Sequence, residues 1–167
     1  MYVDEAAARG ALRRRYALHQ NSNKDSDGTI LQVIARDPQL FKALDAVEKT
    51  LVLVITSGLV KRKQFLDALN ERLAPPLAKG KEGAALDAFK RQFGSVAFRK
   101  GLEIAFHFDK SGKTVTTKAD GKVLQTIGNA TLTKTLLDIY VGSDPVSPQA
   151  KKDFGIGLAR MALLTSE

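Results

Sequence analysis

The apolar positions of this chain follow two periods, and the switches between them mark out its elements. Near the start, Ala8, Leu12 and Tyr16 recur at i, i+4 and i+8, which is one face of a helix. Asp4 stands before them as an N-cap, and Glu5 adds negative charge where the helix dipole favours it. Met1–Val3 reads as the tail of a strand. Asn21–Gly28 is a loop by composition. Thr29–Arg36 is apolar and fits helix or strand equally. Asp37-Pro38 places a cap before a proline at the first helical position, so a short helix is expected to about Ala46.

Lys49–Ser57 is the strongest strand signal. Leu51, Val52, Leu53, Val54 and Ile55 run without polar alternation, which predicts a central strand covered on both faces. Gly58 ends it. A helix then starts near Val60 and repeats Phe65, Leu66, Leu69 and Leu73. Pro75-Pro76 is expected to stop it. A second helix, about Lys81–Phe93, carries Leu86, Phe89 and Phe93, with Gly94 at its C-terminal cap.

The period then drops to two. Leu102, Ile104, Phe106 and Phe108 alternate with Glu103, Ala105 and His107. Asp109–Gly112 turns the chain into the Thr-rich strand Thr114–Ala119. Asp120-Gly121 is a strong two-residue hairpin signal, and Val123–Ile127 returns. These strands predict an antiparallel meander. Two helices close the chain. The first is capped by Asn129 or Thr131, shows Leu132, Leu136, Leu137 and Tyr140 on one face, and ends at Gly142. The second opens at Ser147-Pro148 and turns Phe154, Leu158 and Met161 inward. Gly155 and Gly157 weaken it by about 1 kcal/mol each relative to Ala, in exchange for close packing.

The order of elements predicts one α+β domain, a mostly antiparallel sheet covered on one face by a layer of helices. A length of 167 residues suits a single domain that needs no disulfide or metal staple. The chain has no Cys, which removes thiolate nucleophiles, Cys-ligated zinc and iron–sulfur clusters. Its 2 histidines, His19 and His107, do not make a multi-His metal site. No run reaches the roughly 18 apolar residues of a membrane span. Asp4 and Glu5 stand where a secretory leader would be basic. A P-loop, a dinucleotide fingerprint and a nucleophile elbow are all missing. The net charge of +8 favours anionic partners, or serves as a solvated surface. Basic and aromatic residues do not interleave as they do in base-stacking surfaces. The cluster Lys61-Arg62-Lys63 opens a helix, where the dipole disfavours cations, and so hints at an anion nearby.

One stretch carries a resemblance. Phe98-Arg99-Lys100-Gly101 leads into the Leu102–Phe108 strand, the two hairpins and Ile127-Gly128-Asn129. The Leu132–Gly142 helix and Asp144-Pro145-Val146-Ser147-Pro148 follow. This run resembles the C-terminal half of the chalcone isomerase family, and the buried strand ending Thr56-Ser57-Gly58 fits as well. The resemblance implies that family's fold. It also implies one of two activities: closing a chalcone to a flavanone, as an intramolecular lyase, or carrying a fatty acid without catalysis.

Three positions bear on which branch it is. Where the enzymes have a Tyr three residues beyond the strand-ending Gly, this chain has Lys61. Their Asn seven residues further on corresponds to Ala68. Their substrate-contacting Ser or Thr corresponds to Ile139, followed by Tyr140. Ala and Ile cannot hydrogen-bond a substrate hydroxyl. Leu136–Gly142 instead resembles the fatty-acid-binding branch. The family's key Arg lies on strands that precede the segment matched by Tyr2–Asp4.

The expectation is therefore a single domain over residues 1–167 without the family's N-terminal strands. It would be non-catalytic and would bind a fatty acid or similar apolar anion between sheet and helices. Lys61, Phe65, Ala68, Leu69, Leu136, Ile139 and Tyr140 would line that site, with Lys61 as the cation for the carboxylate. No cofactor or metal is expected, and nucleic acid is disfavoured. The expected state is a soluble monomer, placed by the resemblance in the plastid stroma and otherwise in the cytoplasm. Two alternatives stay open: an intramolecular lyase of the chalcone isomerase type, and a basic surface-interaction module.

Overall fold

The structure is a computed structural model and describes residues 1–16, 27–37 and 39–163, without the side chains of 27–31. His19 and positions 21–26 of the expected loop lie outside the described residues. Strand β1 (Tyr2–Val3) leads into helix α1 (Glu5–Tyr16). The Asp4 carboxylate accepts from the Ala7 N–H at 3.1 Å, which is the expected cap. Ala8, Leu12 and Tyr16 are the buried positions of α1, as their spacing predicts.

Asp27–Arg36 is helical (α2), which resolves the ambiguous apolar stretch and takes in Asp27 and Gly28 from the expected loop. The helix expected after Asp37 is shorter and tighter than predicted. It is a 3-10 turn over Phe41–Leu44. Ahead of it, the Asp37 carboxylate accepts from the Gln39 N–H at 2.8 Å.

Strand β2 (Lys49–Val54) pairs antiparallel with β1 and with β3 (Glu103–Phe108). Strands β4 (Thr114–Ala119) and β5 (Lys122–Gly128) complete the meander, giving one antiparallel sheet in the order β1-β2-β3-β4-β5. Asp120 and Gly121 turn the β4–β5 hairpin with φ of 46° and 78°, the positive pair such a turn requires.

Helix α3 spans Arg62–Lys79 and runs through Pro75 and Pro76, contrary to the stop expected there. Each proline removes a backbone donor and costs about 3 kcal/mol in a helix interior. Leu73 and Leu77, both fully buried, flank the pair, and their burial is lost if the helix breaks. Helix α4 is Gly83–Arg91, a turn shorter than expected, and its C-terminal cap is Gln92 rather than Gly94. Helix α5 (Ala130–Val141) begins where the Asn129 side chain accepts from the Leu132 N–H at 2.7 Å. Helix α6 is Pro148–Leu163, capped by Ser147, which accepts from the Ala150 N–H at 3.2 Å.

Two cores result. The larger lies between the sheet's inner face and α3, α4 and α5. It joins Leu51, Phe106, Phe108 and Val115 to Leu73, Leu77, Phe89, Phe93, Leu132 and Leu136. The smaller joins α1, α2, the 3-10 turn and α6 through Leu12, Ile34, Leu40, Leu44, Leu158 and Ala159. Lys49 lies where β2 meets the smaller core. It is buried, and its Nζ donates to the carbonyls of Leu44 at 2.8 Å and Val47 at 2.9 Å.

The sheet's other face corrects the expectation of a strand covered on both sides. Tyr2, Thr50, His107, Thr116 and Thr126 lie in one cross-strand row of that face. Val52, Ala105, Lys118 and Val123 form the next. Val54 is 55% exposed and Val123 54%, so among the described residues no layer covers this face. The apolar run of β2 reflects strand propensity there rather than burial.

Candidate functional site

The expected site residues come from α3 and α5, which pack together over the sheet. Lys61, Phe65 and Leu69 follow one another at i, i+4 and i+8, a single helix face that starts at the N-cap. Leu69 is buried in the larger core, and Phe65 lies half-buried against it. On α5, Leu136 and Ile139 are buried in the same core and Tyr140 lies half-buried against it. Five of the expected residues thus adjoin one apolar cluster. Ala68 and Lys61 are exposed instead.

The electrostatics of this wall are simple. Desolvation raises the pKa of the Tyr140 phenol well above its ordinary value, so it stays a neutral O–H donor through the physiological range. Lys61 heads α3. Its backbone N–H donates to Gln64 Oε1 at 2.8 Å, and its Nζ sits 3.5 Å from the Gly58 carbonyl. The other two residues of the basic cluster are engaged. Arg62 donates to the carbonyls of Phe93 and Gly94, and Lys63 pairs with Asp67 at 2.5 Å.

Phe98 also belongs to this wall, although the pattern of the sequence did not mark it. Its ring is 5.3 Å from Phe65 and 6.4 Å from Phe93. It lies between α4 and β3 in a stretch with no period, so its neighbours are set by tertiary packing alone.

Ile139 further lines a cleft of about 620 Å³ between the 3-10 turn, α5 and the start of α6, with Arg72 of α3 at its side. Several charged groups there are engaged with one another or with backbone carbonyls. Arg72 donates to the Asp144 carbonyl at 2.6 Å, Lys134 pairs with Asp138, and Lys151 donates to the Gly142 carbonyl at 2.6 Å. His107, expected on a polar strand face, is there with partners. Its Nδ1 is 2.9 Å from Thr50 Oγ1 and its Nε2 is 3.0 Å from Glu48 Oε1. Among the described residues, no group of three or more His, Asp or Glu side chains is placed to hold a metal, and no helix is long and apolar enough to cross a membrane.

Comparison with known proteins places this geometry. The sequence model described as chalcone isomerase-like matches residues 31–154. Two curated relatives are chalcone–flavanone isomerases. The one from Oryza sativa subsp. japonica is 26% identical over 174 positions, covering 96% of this chain and 70% of the relative. The one from Hordeum vulgare is 27% identical over 157 positions, covering 90% and 66%. Among solved structures, an Arabidopsis thaliana fatty-acid binding protein superposes with a TM-score of 0.75 at 20% identity. That match covers 96% of this chain and 77% of the other, and it shows that the fold is shared.

Proposed function

We propose that this chain, which belongs to the chalcone isomerase-like family, carries a fatty acid or a similar apolar anion without catalysing its conversion. The observation that carries the reading is the make-up of the α3–α5 wall. Phe65 and Tyr140, half-buried, lie over the closed cluster of Leu69, Leu136 and Ile139, which parts to admit an acyl chain. The Tyr140 phenol, held protonated by desolvation, offers a donor to a carboxylate. Lys61, exposed at the head of the same α3 face, supplies the counter-charge beside it, where the helix N-terminus also favours an anion. The solved neighbour with this fold is itself named for fatty-acid binding. Each CH2 group removed from water adds about 0.8 kcal/mol, so a long chain reaches useful affinity with few polar contacts.

A second reading is intramolecular lyase activity, favoured by the names of the two curated relatives. Ala68 and Ile139 count against it, because apolar side chains at those positions cannot hold a substrate hydroxyl. The family resemblance also brings a plastid address, which imaging of a fluorescent fusion checks.

Denaturing extraction of the purified protein followed by mass spectrometry tests the carrier reading. A fatty acid recovered at near-equimolar amount supports it. Rapid loss of chalcone absorbance on adding the protein supports the lyase instead.

A further inference from the structure

Two loops meet at the end of the sheet where β2 leaves it and β3 enters. Residues 55–61 link β2 to α3, and residues 92–102 link α4 to β3. The Gly101 N–H donates to the Ile55 carbonyl at 2.7 Å, and the Ile55 N–H donates to the Leu102 carbonyl at 2.9 Å. Arg62 Nη1 reaches the Phe93 carbonyl at 3.4 Å and also bonds that of Gly94. The two loops and the first turn of α3 therefore form one surface. Leu59 stands out from it, 82% exposed, more than any other large apolar side chain among the described residues.

Leu59 is held out by its backbone. The Val60 N–H donates to the Ser57 carbonyl at 3.3 Å and the Leu59 N–H to Ser57 Oγ at 3.2 Å, which fixes the turn with the leucine outward. Around it, residues 55–64 and 94–102 hold five cations, Lys61, Arg62, Lys63, Arg99 and Lys100, and no carboxylate. All of these cations are exposed. Carboxylates from outside the loops meet two of them: Asp67 pairs with Lys63 at 2.5 Å and Asp120 with Arg99 at 2.6 Å. Lys61, Arg62 and Lys100 have no ion-pair partner among the described residues. Glu103 opens β3 beyond Lys100, which still leaves the cations in excess. Lys61, Arg62 and Lys63 stand at the start of α3, where the helix dipole disfavours them, so the fold itself does not call for them there.

We propose that this surface docks on an anionic lipid bilayer, with Leu59 entering the interface and the surrounding cations facing lipid phosphates. Interfacial binding needs those two parts together: apolar surface that leaves water, and positive charge that meets acidic headgroups. Lipid phosphates also supply the anion that the α3 N-terminus and its cations favour. A nucleic acid would meet the cations but leave Leu59 without a partner, since bases stack on aromatic rings. Lys61 lies within this surface, so the docked protein turns the charged end of the α3–α5 wall toward the membrane. The docking does not depend on the carrier reading, because Leu59, Lys63, Arg99 and Lys100 are not among the residues assigned to the apolar anion.

The chain has no Trp, so Leu59→Trp gives it a single fluorescent reporter at this surface. Lys110→Trp places the same reporter on the exposed β3–β4 turn, at the other end of the sheet. The full chain is mixed with vesicles of phosphatidylcholine and phosphatidylglycerol in roughly equal parts, and with vesicles of phosphatidylcholine alone. Co-sedimentation is expected with the mixed vesicles only, and is lost in high salt. Lipids brominated along the acyl chain should quench the emission of Leu59→Trp and spare that of Lys110→Trp. Lys100→Glu should weaken vesicle binding by at least about fivefold, and Leu59→Ser by about tenfold. No binding to the mixed vesicles, or equal binding to both types, overturns the proposal. An unquenched Leu59→Trp, or wild-type affinity in both Lys100→Glu and Leu59→Ser, does the same. So does tighter binding to duplex DNA than to the mixed vesicles at the same salt. The vesicles hold no free fatty acid, so these readouts stand whether or not the protein carries one.

Discussion

Two glycines of α6, two residues apart, are predicted to respond to the same substitution with opposite signs. Gly155 faces α2. A Cβ placed there would lie 3.0 Å from the Ala35 carbonyl oxygen and 3.6 Å from Leu40 Cδ2. At Gly157 a Cβ would meet nothing within 4 Å. Replacing a helix-interior glycine with alanine stabilises by about 1 kcal/mol when nothing intervenes. Gly157→Ala therefore gains that amount. At Gly155 the same gain competes with an overpacking cost of about 1–3 kcal/mol. The obstacle is a backbone carbonyl, so α2 itself must move, and the upper half of that range applies. The net is a loss of about 1–2 kcal/mol, and the two variants differ by about 2–3 kcal/mol. For a chain of this size that separates their melting temperatures by about 5–10 °C. Urea denaturation of the two variants beside the wild type is the assay. A Gly155→Ala variant as stable as Gly157→Ala refutes the close approach of α2 and α6 on which the smaller core rests.

Lys49 and Tyr16 tie the same region together, and their titrations run in informative directions. Burial lowers the Lys49 pKa, partly countered by Asp45 and Asp109, so the unfolded chain holds its proton to higher pH. Wild-type stability should rise relative to Lys49→Met as pH climbs from the lowered folded value toward the ordinary 10.5, and a flat difference refutes the buried ammonium. At neutral pH Lys49→Met orphans the carbonyls of Leu44 and Val47 and should cost about 2 kcal/mol by urea denaturation. The Tyr16 hydroxyl donates to Asp37 Oδ2 at 2.6 Å, and desolvation together with that bond pushes its pKa up to about 12. Its contribution is complete below the ordinary value of 10.0 and should fade as pH rises toward about 12. Tyr16→Phe should cost about 1–2 kcal/mol at neutral pH and lose that alkaline slope in stability curves.

The features legible in the sequence were those that local chemistry decides. Asp4 with Ala8, Leu12 and Tyr16 gives α1 its cap and its buried face. Asp120-Gly121 forces a hairpin because few other pairs accept two positive φ values. The shared apolar core of α3 and α5 was legible for a related reason. Phe65 and Leu69, like Leu136 and Tyr140, mark one face at helical spacing, so their shared core follows once the two helices pack.

What local chemistry does not decide was missed. Pro75 and Pro76 carry a local penalty, but Leu73 and Leu77 bury on either side of them and the helix continues. Val52 and Val54 look like core residues in sequence. Their register against Ala105 and Glu103 puts them on the uncovered face. Lys49 reads as a strand-edge charge until the turn after Leu44 delivers two carbonyls to it.

On the proposed function, the α3–α5 wall holds an apolar anion. The most direct measurement is a calorimetric titration of a long-chain fatty acid, dodecanoate, into wild type, Lys61→Glu and Tyr140→Phe. Saturable, one-to-one binding to the wild type is expected, weakened several-fold in each variant while their melting temperatures stay close to wild type. Binding that does not saturate, or that both variants leave unchanged, contradicts it.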